Sequence, residues 1–224
     1  MTKTNWERWG AATGFMVLAL GLAAAAFERG APPADAPAAA SLAYFVTYRR
    51  ELLTQSLLFV LSSGVYLWFF GSLRSFLQRA EGGDGRLSTV VFGAGVIWAG
   101  LQMVFQSGQI TVAMGGGDLT PALAALMGDW THALSVVAYI PMAVLLAGVA
   151  VVSLRYGAFP AWLGWVSALT AAANLLMSFG IVAGSGLLVP GGVLTYVLYA
   201  LMPLWLASVT TVMMRRLSSA CRTP

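Results

Sequence analysis

Long apolar stretches alternate with short polar or glycine- and proline-rich segments along the whole chain. Each stretch is long enough to cross the hydrocarbon core of a bilayer as a helix, which takes roughly 20 residues. The pattern predicts an all-α, polytopic membrane protein in which residues 1–224 form a single domain of six transmembrane helices. The predicted spans cover about residues 9–27, 51–77, 88–113, 127–153, 161–183 and 191–214.

Basic residues are concentrated in alternate connecting segments. If the N-terminus is cytoplasmic, only Arg29, Arg49 and Arg50 fall outside. Because basic residues favour the cytoplasmic side of a membrane, this asymmetry predicts cytoplasmic N- and C-termini in a bacterial plasma membrane. The basic residues that would then lie inside are Lys3, Arg8, Arg74, Arg79, Arg86, Arg155, Arg215, Arg216 and Arg222.

Composition narrows the class of protein further. The chain is 59% hydrophobic and only 9% charged, whereas soluble domains average about 25% charged residues. The net charge of +4 comes from basic residues at segment ends rather than from a patch, which argues against nucleic-acid binding. One cysteine, Cys221, and one histidine, His132, exclude a disulfide framework and a multi-histidine metal centre. With no nucleotide-binding motif present, we expect no cofactor; the expected partners are the lipid bilayer and a hydrophobic small molecule.

Polar side chains recur in the predicted outer half of five spans. In the third span Gln102, Gln106 and Gln109 are spaced i, i+4, i+7 and therefore share one helix face. Hydrocarbon offers these groups no partners, so we expect them to face one another around a polar cavity in the outer half of the membrane. The other polar residues at this depth are Gln55, Asp129, His132, Asn174, Tyr196 and Tyr199.

Aromatic residues accompany this polar layer. Trp98, Phe105 and Trp130, together with the two tyrosines of the last span, are predicted to border the cavity. Their π faces would stabilise a positive charge. Ordinary core packing is the alternative explanation for each ring, and interhelical hydrogen bonding is the alternative for the glutamines.

Three residues are candidates for acid–base chemistry. Asp129 and His132 are three residues apart on one face, so the carboxylate could orient the imidazole. Alternatively, Asp129 is favoured by the dipole near a helix N-terminus. Glu51 either pairs with Arg49 or Arg50 at the outer surface or turns inward, where it and Asp129 would be two carboxylates sharing a proton.

Three segments resemble a family of uncharacterised multi-pass proteins that is common in high-GC bacteria and is described by a domain of unknown function. They are YRRELL at 48–53, WFFGSLRSFLQRAEGGDGRLSTVVFGAGV at 68–96 and AYIPMAVLLAGVAVVSLRYGAFPAWLGW at 138–165. The resemblance implies six spans and carries no activity. In its general character, as a short, apolar and aromatic-rich chain, the protein is also similar to small integral-membrane terpene and meroterpenoid cyclases. Those enzymes use membrane-embedded carboxylic acids to protonate an alkene or epoxide.

These patterns lead to one expected function and two alternatives. The first is a membrane-embedded enzyme on an isoprenoid-like substrate, with Asp129 or Glu51 as the acid and with His132 and the glutamines tuning it. The alternatives are a carrier or exporter of an amphipathic solute, and an accessory subunit whose polar residues serve helix packing alone.

Overall fold

The described part of the chain is helical. A computed structural model describes residues 3–30, 32, 36–115, 119–182 and 193–219; the 183–190 connection and Cys221 lie outside these ranges. The described residues form no strand, so the predicted all-α fold is confirmed. The helices are α1 (Lys3–Ala25), α2 (Ala38–Thr47), α3 (Arg49–Glu81), α4 (Arg86–Gly115), α5 (Pro121–Tyr156), α6 (Ala161–Ser178, followed by a 3₁₀ turn at Phe179–Ile181) and α7 (Val193–Ser219).

Six of these helices, all except α2, are long and apolar enough to span a membrane. The observed α5 begins about two turns before the predicted fourth span. Thr120 explains the earlier start, because its side chain accepts a hydrogen bond from the Leu123 N–H and Pro121 occupies the first helical position. The molecule therefore has the architecture of a multi-pass membrane protein.

The six long helices form a ring in chain order. Each packs against its neighbours in the sequence, and α7 closes the ring by packing against α1. Glycine permits the closest approaches of α1: a side chain at Gly14 would clash with Thr210 of α7 and Phe69 of α3. The short helix α2 packs mainly on α5, with further contacts to α3 and α4, and lies at one end of the ring.

The two ends of the ring differ in charge. We call the end that carries Glu7, Arg79, Arg155 and Arg216 the basic end, and the opposite end the α2 end. At the basic end Arg79 forms an ion pair with Glu7 at 2.6 Å. Arg216 donates to the carbonyls of Gly157 and Ala158 at 2.9 and 2.8 Å, which fixes the turn between α5 and α6 to α7.

The main apolar core fills the half of the ring nearer the basic end. Most of its large buried side chains come from α3, α5 and α7, and its one buried indole, Trp205, donates to Ser167 at 2.8 Å. A smaller cluster joins α5, α6 and α7 nearer the α2 end through Val136, Tyr139, Met177 and Leu198. The buried glutamines lie beyond the main core, in the half nearer the α2 end.

Candidate functional site

A hydrogen-bond network crosses from α4 to α3 and on to the end of α1. The Gln109 amide donates to Gln55 Oε1 at 3.0 Å, to Ser56 Oγ at 2.9 Å and to the Leu52 carbonyl at 3.3 Å. Gln55, which is only 4% exposed, donates in turn to the Glu28 carboxylate. We call this the glutamine network. It joins two residues predicted from the sequence, Gln55 and Gln109, to one that the sequence analysis missed.

Glu28 is the carboxylate that the structure adds at the edge of the polar layer, and like Asp129 it is exposed. It follows the last residue of α1, Ala25, by three positions. The chain turns there through hydrogen bonds from the Phe27 and Glu28 N–H groups to the Ala24 and Ala25 carbonyls. This turn brings Glu28 back to the level of Gln55, although its sequence position assigns it to a connecting segment.

Two polar atoms beside the network are buried without a hydrogen-bond partner among the described residues: Gln106 Oε1 and His132 Nδ1. Gln106 is 3% exposed and lies one helical turn from Gln109. The packing of Trp130 and Thr131 on Gly108 aligns α4 with α5. Gln106 and His132 therefore lie at nearly the same level on adjacent helices.

Tyr199 of α7 belongs to the same region. It lies within electrostatic range of Glu28, Tyr139 and Tyr196, and its ring is 6.5 Å from that of Tyr196 in an edge-on contact. Because Tyr139 is on α5, which is not a ring neighbour of α7, Tyr199 lies toward the interior of the ring. Its side chain is nevertheless 57% exposed.

The remaining predicted site residues divide between this region and the core. Trp130 packs on Gly108, and Gln102 and Phe105 are half-buried on α4. Trp98, by contrast, packs against the main core with its ring 5.0 Å from Tyr66. These contacts are those of ordinary core packing, the alternative explanation for this ring.

Asn174 is buried but does not join the glutamine network. Its amide donates to the Thr170 carbonyl at 2.8 Å, so its polar group is satisfied within α6 itself. This is the packing role that a polar residue in a transmembrane helix commonly takes.

The predicted carboxylate pairs do not form in the described part of the chain. Asp129 is exposed and makes no hydrogen bond or ion pair with His132, which is half-buried. Glu51 is half-buried in the first turn of α3, and among the described residues it makes no ion pair with Arg49 or Arg50. Asp129 and Glu51 therefore lie near the α2 end without the partners expected for them.

Two surface grooves are present elsewhere, and neither contains the glutamines. One, of about 560 Å³, lies near the basic end and is lined by Trp6, Trp9 and Trp68. The other, of about 670 Å³, lies between α5 and α6. The described residues also contain no group of three or more His, Cys, Asp or Glu side chains that could hold a metal ion.

Comparison of the chain with models of protein families, with characterised proteins and with solved structures finds no match.

Proposed function

We propose that this protein is a membrane-embedded enzyme that cyclises or isomerises a hydrophobic, isoprenoid-like substrate by acid initiation. The observation that carries the proposal is the buried polar layer in an apolar bundle, in which Gln106 Oε1 and His132 Nδ1 lack partners among the described residues. A buried unpaired polar atom costs about 1–3 kcal/mol. A bound molecule that completes these hydrogen bonds would therefore gain affinity there.

Glu28 is the proton donor that we propose, because it is the carboxylate that is hydrogen-bonded to the glutamine network. Gln55 donates to one oxygen of its carboxyl group, and the proposed reaction requires that the other oxygen carries the proton. Transfer of that proton to an alkene carbon or an epoxide oxygen would leave a carboxylate already hydrogen-bonded by Gln55.

The rest of the layer would serve the cationic intermediate. Tyr199 and Trp130 offer π faces to the developing positive charge. His132, with an unpartnered Nδ1, would accept the proton that the substrate loses at the end of the reaction. One proton enters and one leaves, so the product has the mass of the substrate.

The test uses the purified protein in lipid nanodiscs with a panel of isoprenoid polyenes and terminal epoxides. Liquid chromatography with mass detection should reveal a product of unchanged mass and altered retention. We expect Glu28→Gln to reduce its formation on the order of 100-fold or more, as is typical for loss of a general acid. Asp84→Asn is the matched control, because Asp84 is an exposed carboxylate at the basic end.

Asp129→Asn and Glu51→Gln should be measured in parallel, since both carboxylates lie near the α2 end. If one of them abolishes turnover while Glu28→Gln retains it, the acid is that residue. If no panel member is converted but several stabilise the protein against heat, the layer binds ligands without catalysis, which would support a carrier instead.

A further inference from the structure

A groove of about 670 Å³ runs along the outer side of α5 and α6 toward the basic end. Six of its twelve lining residues are alanines, five are larger aliphatic residues that are exposed, and Arg155 is the only charged residue among them. The lining residues are Ile140, Ala143, Val144, Ala147, Ala150, Val151, Leu154, Arg155, Ala168, Ala171, Ala172 and Leu175.

Alanines create this groove. Ala143, Ala147 and Ala150 on α5 and Ala168 and Ala172 on α6 line the groove, and their short side chains leave a channel beside the larger lining residues. From Ile140 to Arg155 the channel follows α5 for about 22 Å at about 1.5 Å per residue. A void of this length in a bilayer would forfeit dispersion contacts along its walls, so a hydrocarbon chain is the occupant that fits its chemistry.

Arg155 gives the groove a charged end. It lies in the last turn of α5, its guanidinium is 5.6 Å from the centre of the Tyr156 ring, and among the described residues no carboxylate lies within 4 Å of it. Trp162 and Trp165, both exposed, lie near the start of α6 at the same end. Exposed tryptophans and arginines are typical of the membrane interface, and a guanidinium suits a phosphate.

We propose that this groove binds an anionic phospholipid, with one acyl chain along the alanines and the phosphate on Arg155. The charge at one end and the apolar channel beyond it match the two parts of such a lipid. The basic end is predicted to be cytoplasmic, and the cytoplasmic leaflet carries the anionic lipids. This site is separate from the glutamine network and does not depend on the proposed reaction.

The lipid selectivity can be measured by native mass spectrometry of the full chain with phosphatidylglycerol and phosphatidylcholine of identical acyl chains. We expect the wild-type protein to retain phosphatidylglycerol about fivefold more tightly, the factor for about 1 kcal/mol per basic residue at an anionic surface. Arg155→Gln should remove this preference. Arg215→Gln is the control, because Arg215 is exposed at the same end but does not line the groove.

A second variant tests the channel itself. Ala147 is exposed, so Ala147→Leu should fill the groove without disturbing the fold, which its thermal midpoint would verify. We expect weaker retention of both lipids in this variant. An unchanged lipid preference in Arg155→Gln would overturn the proposal. The proposal would also be overturned if Ala147→Leu abolished a dimer of the protein and left lipid retention unaltered. In that case a second copy of the chain, and not a lipid, would cover the groove.

Discussion

Gln109 connects more of the polar layer than any other single side chain described. It supplies the donor for Gln55 Oε1 and Ser56 Oγ, both of which are buried between α3 and α4. In the Gln109→Leu variant these two acceptors would lose the Gln109 donor while they remain in an apolar environment. We expect the free energy of unfolding to fall by about 1–3 kcal/mol, the cost of unsatisfied buried polar groups, in a denaturation curve recorded in micelles.

Ser107→Ala is the matched control for that variant. Ser107 is exposed on the same helix, and its hydroxyl bonds to the Val104 carbonyl one turn away. Its removal should change stability by less than about 0.5 kcal/mol. Equal stability of the two variants would contradict a structural role for the glutamine network.

The spacing of residues predicted part of this site and could not predict the rest. The periodicity of the glutamines places them on one face, and Gln55 and Gln109 do meet. Helix α5, however, is apolar on every side, so its sequence holds no amphipathic pattern from which an inward face can be recognised. Of the two roles that the sequence allows for Asp129, a site residue or a residue favoured near a helix N-terminus, exposure fits the second. Glu28 depends on a chain turn, which helical periodicity does not describe.

Helix α2 covers one end of the ring, and a hydrogen bond from Tyr44 holds it there. The Tyr44 hydroxyl donates to the Arg29 carbonyl at 3.1 Å. Burial, with the Glu28 carboxylate and Tyr48 adding to it and Arg29 opposing it, raises the pKa of Tyr44 to about 12 from its ordinary value of 10.0. The phenol therefore keeps its proton while α2 is docked.

This raised pKa predicts that α2 loosens at alkaline pH. Undocked Tyr44 would lose its proton near pH 10 and docked Tyr44 near 12, so the docked form binds more protons in this interval and loses stability as pH rises through it. We expect the docking of α2 to lose about 1 kcal/mol of stability over this interval. This is less than the free energy that corresponds to two full pKa units, because Tyr44 is only half-buried. An environment-sensitive dye on α2 should report the loosening.

The Tyr44→Phe variant provides the comparison. It cannot ionise at this position, so the change in dye emission between pH 10 and 12 should shrink. The difference in tyrosinate absorbance between wild type and Tyr44→Phe should appear near pH 12. If that difference appears near pH 10, Tyr44 is not buried at this end of the ring.

For the whole molecule, the number of spans was predictable and their order in the ring was not. A bilayer requires apolar helices of a minimum length, and that constraint is visible in any sequence. The closure of α7 on α1 rests instead on close packing, such as the fit of Gly14 against Thr210 and Phe69. The result is an asymmetric bundle, apolar inside toward the basic end and polar toward the α2 end.

The side of the membrane that the α2 end faces depends on the topology of the chain. The distribution of basic residues predicts that the basic end faces the cytoplasm. In a Cys221→Ser background, Ala39→Cys on α2 and Asp84→Cys in the turn between α3 and α4 each provide one exposed thiol. A membrane-impermeant maleimide applied to intact cells should label the first at once and the second only after the membrane is opened. The opposite labelling pattern would show that the α2 end faces the cytoplasm and that the glutamine network lies in the cytoplasmic half of the bilayer.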